Sequence, residues 1–392
     1  MKKGSFQWMK SLNRSIVLNK IRIDGPISRA EIARDTKLTP PTVSKIVSDL
    51  LSSELIIESE IGASLGGRKP TMLIINTDRF HVIGLDIGPT SIRGILTNLT
   101  GKLIEHNHLP ITESITNEKL IIFIKKLVTK LVSDHEDKEI IGIGIGMHGA
   151  VDVERGIALY APMLHLKDVH LKSELEKAFD VPIKVDNDVR AMAFGEYWYG
   201  NGEHNENMVT VNLGHGVGAG IILNGKLFHG EHDLAGEIGH MTVDLSGKLC
   251  SCGNIGCWQT LVSGPSIAEE AKHALFQGNK SILENKVIEG KTVYEAAVAG
   301  DALAIEVLAK TGEYIGIGLT NLIHMFNPEK IIIGGGVSGA SDFILQHIKE
   351  AITKRGLTEQ AKTTDISCST KGSYSTATGA ASLILADVFL EN

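Results

Sequence analysis

Apolar residues recur at helical intervals through the first fifty positions, and β-branched runs broken by glycine fill the rest of the chain. Between Asn13 and Arg22, Ile16, Val17, Leu18 and Ile21 form one stripe, which Asp24-Gly25-Pro26 ends. Ser28 then caps a second predicted helix, with Glu31 completing a capping box and Ala30, Ile32 and Ala33 on the apolar side. After the turn Thr36-Lys37-Leu38, a third helix opens at Thr39-Pro40-Pro41-Thr42. It buries Val43, Ile46, Val47, Leu50 and Leu51 and leaves Thr42, Ser44, Lys45 and Ser48 outside. Leu55–Glu60 and Thr71–Ile75 are predicted strands around a glycine-rich tip.

Two short helices joined by a tight turn and followed by a strand pair make a winged helix-turn-helix, the geometry that reads a major groove. The candidate DNA-facing residues are Ser28, Arg29, Thr39, Pro41, Thr42, Ser44 and Lys45. Arg68, in Gly66-Gly67-Arg68-Lys69-Pro70, would carry the wing tip to a minor groove or to phosphates. The competing reading is a three-helix interaction module that never meets DNA.

Farther along, three strands run into glycine turns. Val82–Gly88 continues through Pro89-Thr90-Ser91 into a returning strand, with Asp86, Gly88 and Thr90 at the turn. Val209–Leu213 reaches Gly214-His215-Gly216, and Lys330–Ile333 ends at Gly334-Gly335-Gly336. One glycine loop is usually just a turn, but three in this order, each after a β-branched strand, point to backbone cradles for phosphate.

A chain of 392 residues exceeds one small domain. No run approaches the roughly twenty apolar residues that span a bilayer, and Met1–Trp8 lacks a secretion signal, so a cytoplasmic protein without membrane contact is expected. Charge is uneven. The first 80 residues hold 13 Lys and Arg against 8 Asp and Glu, so of the chain's 39 basic and 46 acidic residues 26 and 38 lie beyond, a basic head on an acidic body. That bias adds weight to a polyanion partner for the head.

Three of the four cysteines fall together in Cys250-Ser-Cys252-Gly-Asn-Ile-Gly-Cys257, with His240 ten positions upstream of the first. Three thiolates and an imidazole complete a tetrahedral zinc set with no position left for water, so the metal is expected to be structural. Buried apolar cysteines or a disulfide are the alternative, and three cysteines in one tight glycine-bearing loop fit it poorly.

These loops, the cysteine segment and the head together resemble the ROK family of repressors, open reading frames and kinases, over nearly the whole chain. Gly239-His240 through Cys257 carries the most specific part of the likeness. The resemblance implies an α/β protein: a winged helix-turn-helix over 1–78, then an actin-like, hexokinase-like, ribonuclease H-like body over 79–392 with a sugar in its cleft. The small lobe would be about 79–190 plus the C-terminal helix, and the large lobe about 191–375. By position, Asp188 matches the kinases' general base, and Asn187, Glu237 and His240 match sugar contacts, His240 also touching the zinc. Gln259 stands where the family usually has Glu, and Gly149, in Gly146-Met147-His148-Gly149-Ala150, lies where it usually has Pro-Gly, both departures at the implied sugar pocket.

Active members carry Asp-x-Gly-Gly-Thr-Lys in the first turn, where this chain has Asp86-Ile87-Gly88-Pro89-Thr90-Ser91; in the second, His215 replaces a threonine. Asp86, Gly88, Thr90, Gly214, Gly216 and Gly335 therefore read as vestigial phosphate loops, and ATP and magnesium are not expected. The expectation is a sugar-responsive repressor, a homodimer or dimer of dimers on operator DNA, with an effector of the xylose or glucose class. An active or bifunctional sugar kinase using Asp188 is the alternative.

Overall fold

The opening helix is longer than its apolar stripe: α1 spans Phe6–Asp24 in a computed structural model describing residues 6–61, 70–112, 114–133, 135, 138–202 and 205–390. Among its described side chains Val17, Leu18 and Ile21 are buried, while Ile16 stays exposed. A short strand β1, Ile27–Ser28, precedes α2, Arg29–Thr36. The capping box is present, and Lys37 in the left-handed region at φ 58° turns the chain into α3, Pro40–Ser52, capped by Thr39. Val43, Ile46, Val47 and Leu50 are buried; Leu51 is only half-buried. Strands β2, Ile56–Ile61, and β3, Thr71–Ile75, complete an antiparallel sheet of order β1-β3-β2.

The chain divides into two units, Met1–Asp188 with Ala377–Asn392, and Val189–Thr376. In the first, β4 (Phe80–Ile87), β5 (Ser91–Asn98) and β6 (Leu103–Pro110) form a meander. Helix α4 (Asn117–Ser133) then crosses to β7 (Glu139–Met147). The short strands β8 (Ala150–Asp152), β9 (Ile157–Ala161) and β10 (Leu166–Val169), with helix α5 (Leu171–Glu176), lead to β11 (Ile183–Asn187). The sheet order is β11-β7-β4-β5-β6, with β4, β7 and β11 parallel. The apolar side of α4, Leu120, Ile124, Leu127 and Leu131, is fully buried and packs in one core with Ile83, Leu85, Ile143 and Ile145.

Helix α6, Asp188–Tyr199, leads into the second unit. There β12 (Met208–Leu213), β13 (Val217–Leu223) and β14 (Lys226–Leu227) repeat the meander. The short α7 (Gln259–Val262), then α8 (Gly264–Phe276), α9 (Gly290–Val298) and the long α10 (Ala302–Phe326) lead to β15 (Lys330–Gly334), α11 (Ser341–Arg355) and β16 (Asp365–Cys368). The order is β14-β13-β12-β15-β16, with β12, β15 and β16 parallel. Both sheets thus follow one plan, three meandering strands and then two parallel additions beside the first. The first two glycine turns occupy the same place in each, between strands one and two.

The C-terminal helix Ser375–Phe389 returns to the first sheet. A Cβ at Gly84 or Gly144 would run into the carbonyl oxygens of Ala377 and Ala380, so those glycines let the helix lie directly on the strands. At its far end the Asn19 amide donates to the Phe389 carbonyl at 2.6 Å, and the Arg22 guanidinium lies 5.6 Å from the Phe389 ring centre. No helix among the described residues is long and apolar enough to cross a membrane.

Candidate functional site

On the head, α3 presents Pro41, Ser44, Lys45 and Ser48 outward, as its apolar spacing requires. Thr39 and Thr42 are joined through their hydroxyls at 2.8 Å at the start of the helix. Arg29 is partly exposed and paired with Glu58 of the wing strand at 3.2 Å. Ser28 corrects the expectation: it is buried, and its hydroxyl lies 2.7 Å from the Glu31 carboxylate it donates to, so the cap withdraws it from any DNA-facing set. Arg68 lies outside the described residues.

In the second unit, His240 ends a short turn, Ile238–His240, and the cysteine segment folds beneath it through the bridges Thr242–Cys257 and Leu249–Ile255. The Cys250 amide donates to the Asn254 carbonyl at 2.7 Å, closing the inner loop. Gly256 has φ 75° and faces the Asp244 carbonyl, a position no side chain could share. Next to Cys257, Trp258 is fully buried against Gly318 of α10, and its indole N–H donates to the Tyr314 carbonyl at 2.9 Å. The cysteine loop is therefore anchored to α10, an attachment the cysteine spacing did not disclose.

The donor atoms of His240, Cys250, Cys252 and Cys257 lie within 4.8 Å of one another. His240 Nδ1 is 3.7 Å from Cys250 Sγ, and Cys252 Sγ is 3.7 Å from Cys257 Sγ. A zinc tetrahedron with Zn–S bonds of about 2.3 Å has S–S edges of about 3.8 Å, so the donor set fits that ion. Burial opposes ionisation of Cys250, but hydrogen bonds from Cys252, Gln259 and Cys257 bring its thiol down to about 6. Burial pushes Cys257 up to about 12, with the neighbouring thiols adding to it. Gln259 donates its amide to Cys250 Sγ at 3.1 Å, so its side chain is held against the cysteine cluster.

The same unit holds the second and third glycine turns. The Gly214 amide donates to the Gly216 carbonyl at 3.0 Å, and Gly264, at the start of α8, donates to Gly214 at 2.8 Å. His215 is exposed at the tip, and Glu237 is exposed before the His240 turn. Gly335 has φ 82°, and Asn212 and the Leu213 carbonyl leave no room there for a side chain.

In the first unit, Asn187, Asp188 and Gly149 come together. The Asn187 amide donates to the Gly149 carbonyl at 3.0 Å and to Asp188 Oδ1 at 2.9 Å. Two further residues join them, Arg93 and His148. Asp86 and Arg93 face each other across the β4–β5 pair, with Arg93 Nη1 3.1 Å from Asp86 Oδ2. Burial, and then the Asp188 charge, push Asp86 up to about 7 despite that partner. The Gly88 amide donates to the Ser91 carbonyl at 3.1 Å, while Thr90 is exposed. Arg93 was legible in principle, since a hairpin turning at Gly88–Thr90 sets it opposite Asp86.

A winged helix-turn-helix joined to a body of two like-built α/β halves, one bearing a Cys3His loop, defines the class: a sugar-kinase-type fold carrying a DNA-reading type of head. The chain belongs to the ROK family, whose profile matches residues 82–387. It is 33% identical over 397 aligned positions to the xylose repressor of Caldicellulosiruptor bescii, covering 98% of each chain. The structure of a ROK family transcriptional regulator, a homologue of the E. coli MLC protein, superimposes with a TM-score of 0.86 at 29% identity, over 97% of this chain and 98% of that one. A ROK family glucokinase from Streptomyces griseus, solved with glucose and AMPPNP, gives a TM-score of 0.69 at 31% identity, over 98% of its own length but 77% of this chain.

Proposed function

We propose that the chain is a sugar-responsive transcriptional repressor: its head binds double-stranded operator DNA, and a monosaccharide bound by its body alters that affinity. The observation that carries this reading is coverage. The regulator matches 97% of the chain, head included, whereas the glucokinase accounts for 77%. We place the head at residues 1–78 and the body at 79–392, and assign DNA contact to Arg29, Thr39, Pro41, Thr42, Ser44, Lys45 and Arg68. The sugar contacts carried over by family likeness are Gly149, Asn187 and Asp188 in the first unit and Glu237 and His240 in the second, with Gln259 acting through Cys250.

The ion assigned to His240, Cys250, Cys252 and Cys257 is zinc, which when bound ties the loop and leaves no coordination position for substrate. His240, held by Nδ1, would keep a fixed ring orientation for a sugar hydroxyl. The effector is placed in the xylose or glucose class, and the working form is a homodimer or a dimer of dimers, since one small head supplies too little affinity for a specific site.

The second reading, a kinase using Asp188 as general base, draws support from that residue's presence beside Asn187. Against it stand Arg93 on Asp86, the Gly88 amide closed on Ser91, and Pro89, which has no N–H to offer. Fluorescence anisotropy with DNA from the chain's own gene neighbourhood, titrated with aldoses and amino sugars, tests the first reading: release by a sugar is expected, and operator affinity indifferent to every sugar would overturn it. A coupled assay with ATP, magnesium and the same panel tests the second, which needs sugar-dependent turnover.

A further inference from the structure

Strands β11, β7 and β4 lie side by side and parallel, with Asp186, Gly146 and Asp86 in one row and Asn187, Met147 and Ile87 in the next. The residues that follow, where the strands end, are Asp188, His148 and Gly88. The carboxyl edge of a parallel sheet is where an α/β fold presents side chains to a ligand. His148 is fixed there by its backbone, whose amide donates to the Ile87 carbonyl at 3.1 Å. Its ring Nδ1 is 3.8 Å from Asp188 Oδ2, while Asp188 Oδ1 accepts from Asn187 at 2.9 Å. The two side chains are 22% and 18% exposed, and because His148 Nε2 is itself buried, a ligand would meet the ring on the Nδ1 side that faces Asp188.

We propose that His148 is a ligand-reading residue that, with Asp188, grips adjacent hydroxyls of a neutral, unphosphorylated sugar. The proposal rests on the sugar-binding reading above. A carboxylate accepts from one hydroxyl, and an imidazole can donate to or accept from the next, which matches the two faces of a vicinal diol. Charge disfavours a phosphate at this edge: it carries the Asp188 charge, and the nearby guanidinium, Arg93, is committed to Asp86 at 3.1 Å. His148 therefore separates sugars by the hydroxyl that meets it, a choice that Asn187 and Asp188 alone do not make.

Calorimetric titration of the full chain tests this with D-xylose, D-glucose, their single-deoxy analogues and glucose 6-phosphate. Wild type is compared with His148→Leu, His148→Ala and His148→Gln, each checked by thermal melting. Leu and Ala should weaken the preferred sugar about tenfold or more, the value of one hydrogen bond to a site with charged members. Gln, which keeps a hydrogen-bonding group, should recover most of it. The deoxy sugar that loses affinity for wild type should lose no more for the Leu variant, and the phosphate should bind more weakly than glucose. Folded Leu and Ala variants with wild-type affinity and unchanged deoxy penalties would overturn the role of His148 alone. Wild type that binds none of these sugars would overturn the xylose or glucose class of effector on which this proposal rests.

Discussion

Asp86 shows how burial can outweigh an ion pair. It faces Arg93 at 3.1 Å, and burial still pushes it up to about 7 from the ordinary 3.8. A folded-state acid with a raised pKa holds its proton more tightly than the unfolded chain does. Its contribution to stability is full below about 3.8 and is lost as pH rises through about 7, the reverse of a well-paired carboxylate. Asp86→Asn should remove that loss, so the fall in Tm between about pH 5 and about pH 8 should be smaller than in the parent. Scanning calorimetry at the two pH values checks it, and parallel curves would place the cost on another group. At the metal loop the governing residue is Cys252, the exposed member of the four. Cys252→Ser should cut bound zinc well below one ion per chain and lower Tm, because an ion that binds only the folded loop stabilises it by mass action. Atomic absorption and a melt on the same sample read both effects.

The elements differ in how openly the sequence announces them. Helices α2 and α3 were legible because their signals are local: Ser28 with Glu31, Thr39 with Pro40, and apolar residues at three- and four-residue steps. The matching plan of the two sheets was not, because parallel pairings such as Asn187 with Met147 and Asn212 with Gly334 join residues far apart, and no sequence repeat marks them. The C-terminal helix was equally opaque in its destination. Ala377, Ala380, Ala381, Ile384 and Leu385 are all buried, so the pattern says that the helix is enclosed but not by which sheet. Gly84 and Gly144 hold the answer, since the helix backbone needs the space their missing side chains leave. Gly144→Ala would drive a methyl into the Ala380 carbonyl, and the helix must shift to admit it. A loss of about 1–3 kcal/mol is expected, the usual range for overpacking, read as a lower urea midpoint. An unchanged midpoint would mean the helix has more freedom on the sheet than the close approach implies.

For the whole molecule, the sequence disclosed a basic head, a sugar-kinase-like body and the departure at Gln259, but not Arg93 or His148, nor the bond from Gln259 to Cys250, because their partners lie where the chain order does not reveal them. What joins head and body as a regulator is thermodynamic linkage, whatever path the coupling takes. A sugar can weaken operator binding only if it binds the DNA-free form more tightly, and the factor must be the same in both directions. If saturating sugar reduces operator affinity about thirtyfold, saturating operator must reduce sugar affinity about thirtyfold, a coupling of about 2 kcal/mol. Lys45 separates the two terms, because it lies on the exposed side of α3 within the head. Lys45→Ala should weaken operator binding and reduce the salt slope by about one where it contacts a phosphate. It should leave the affinity of the DNA-free protein for sugar unchanged, and the sugar-induced fold-change in operator binding unchanged as well. Calorimetry for the sugar arm and anisotropy for the DNA arm close the cycle. A variant that lost the fold-change together with the affinity would place Lys45 in the coupling itself, and the head would then be more than a passive reader.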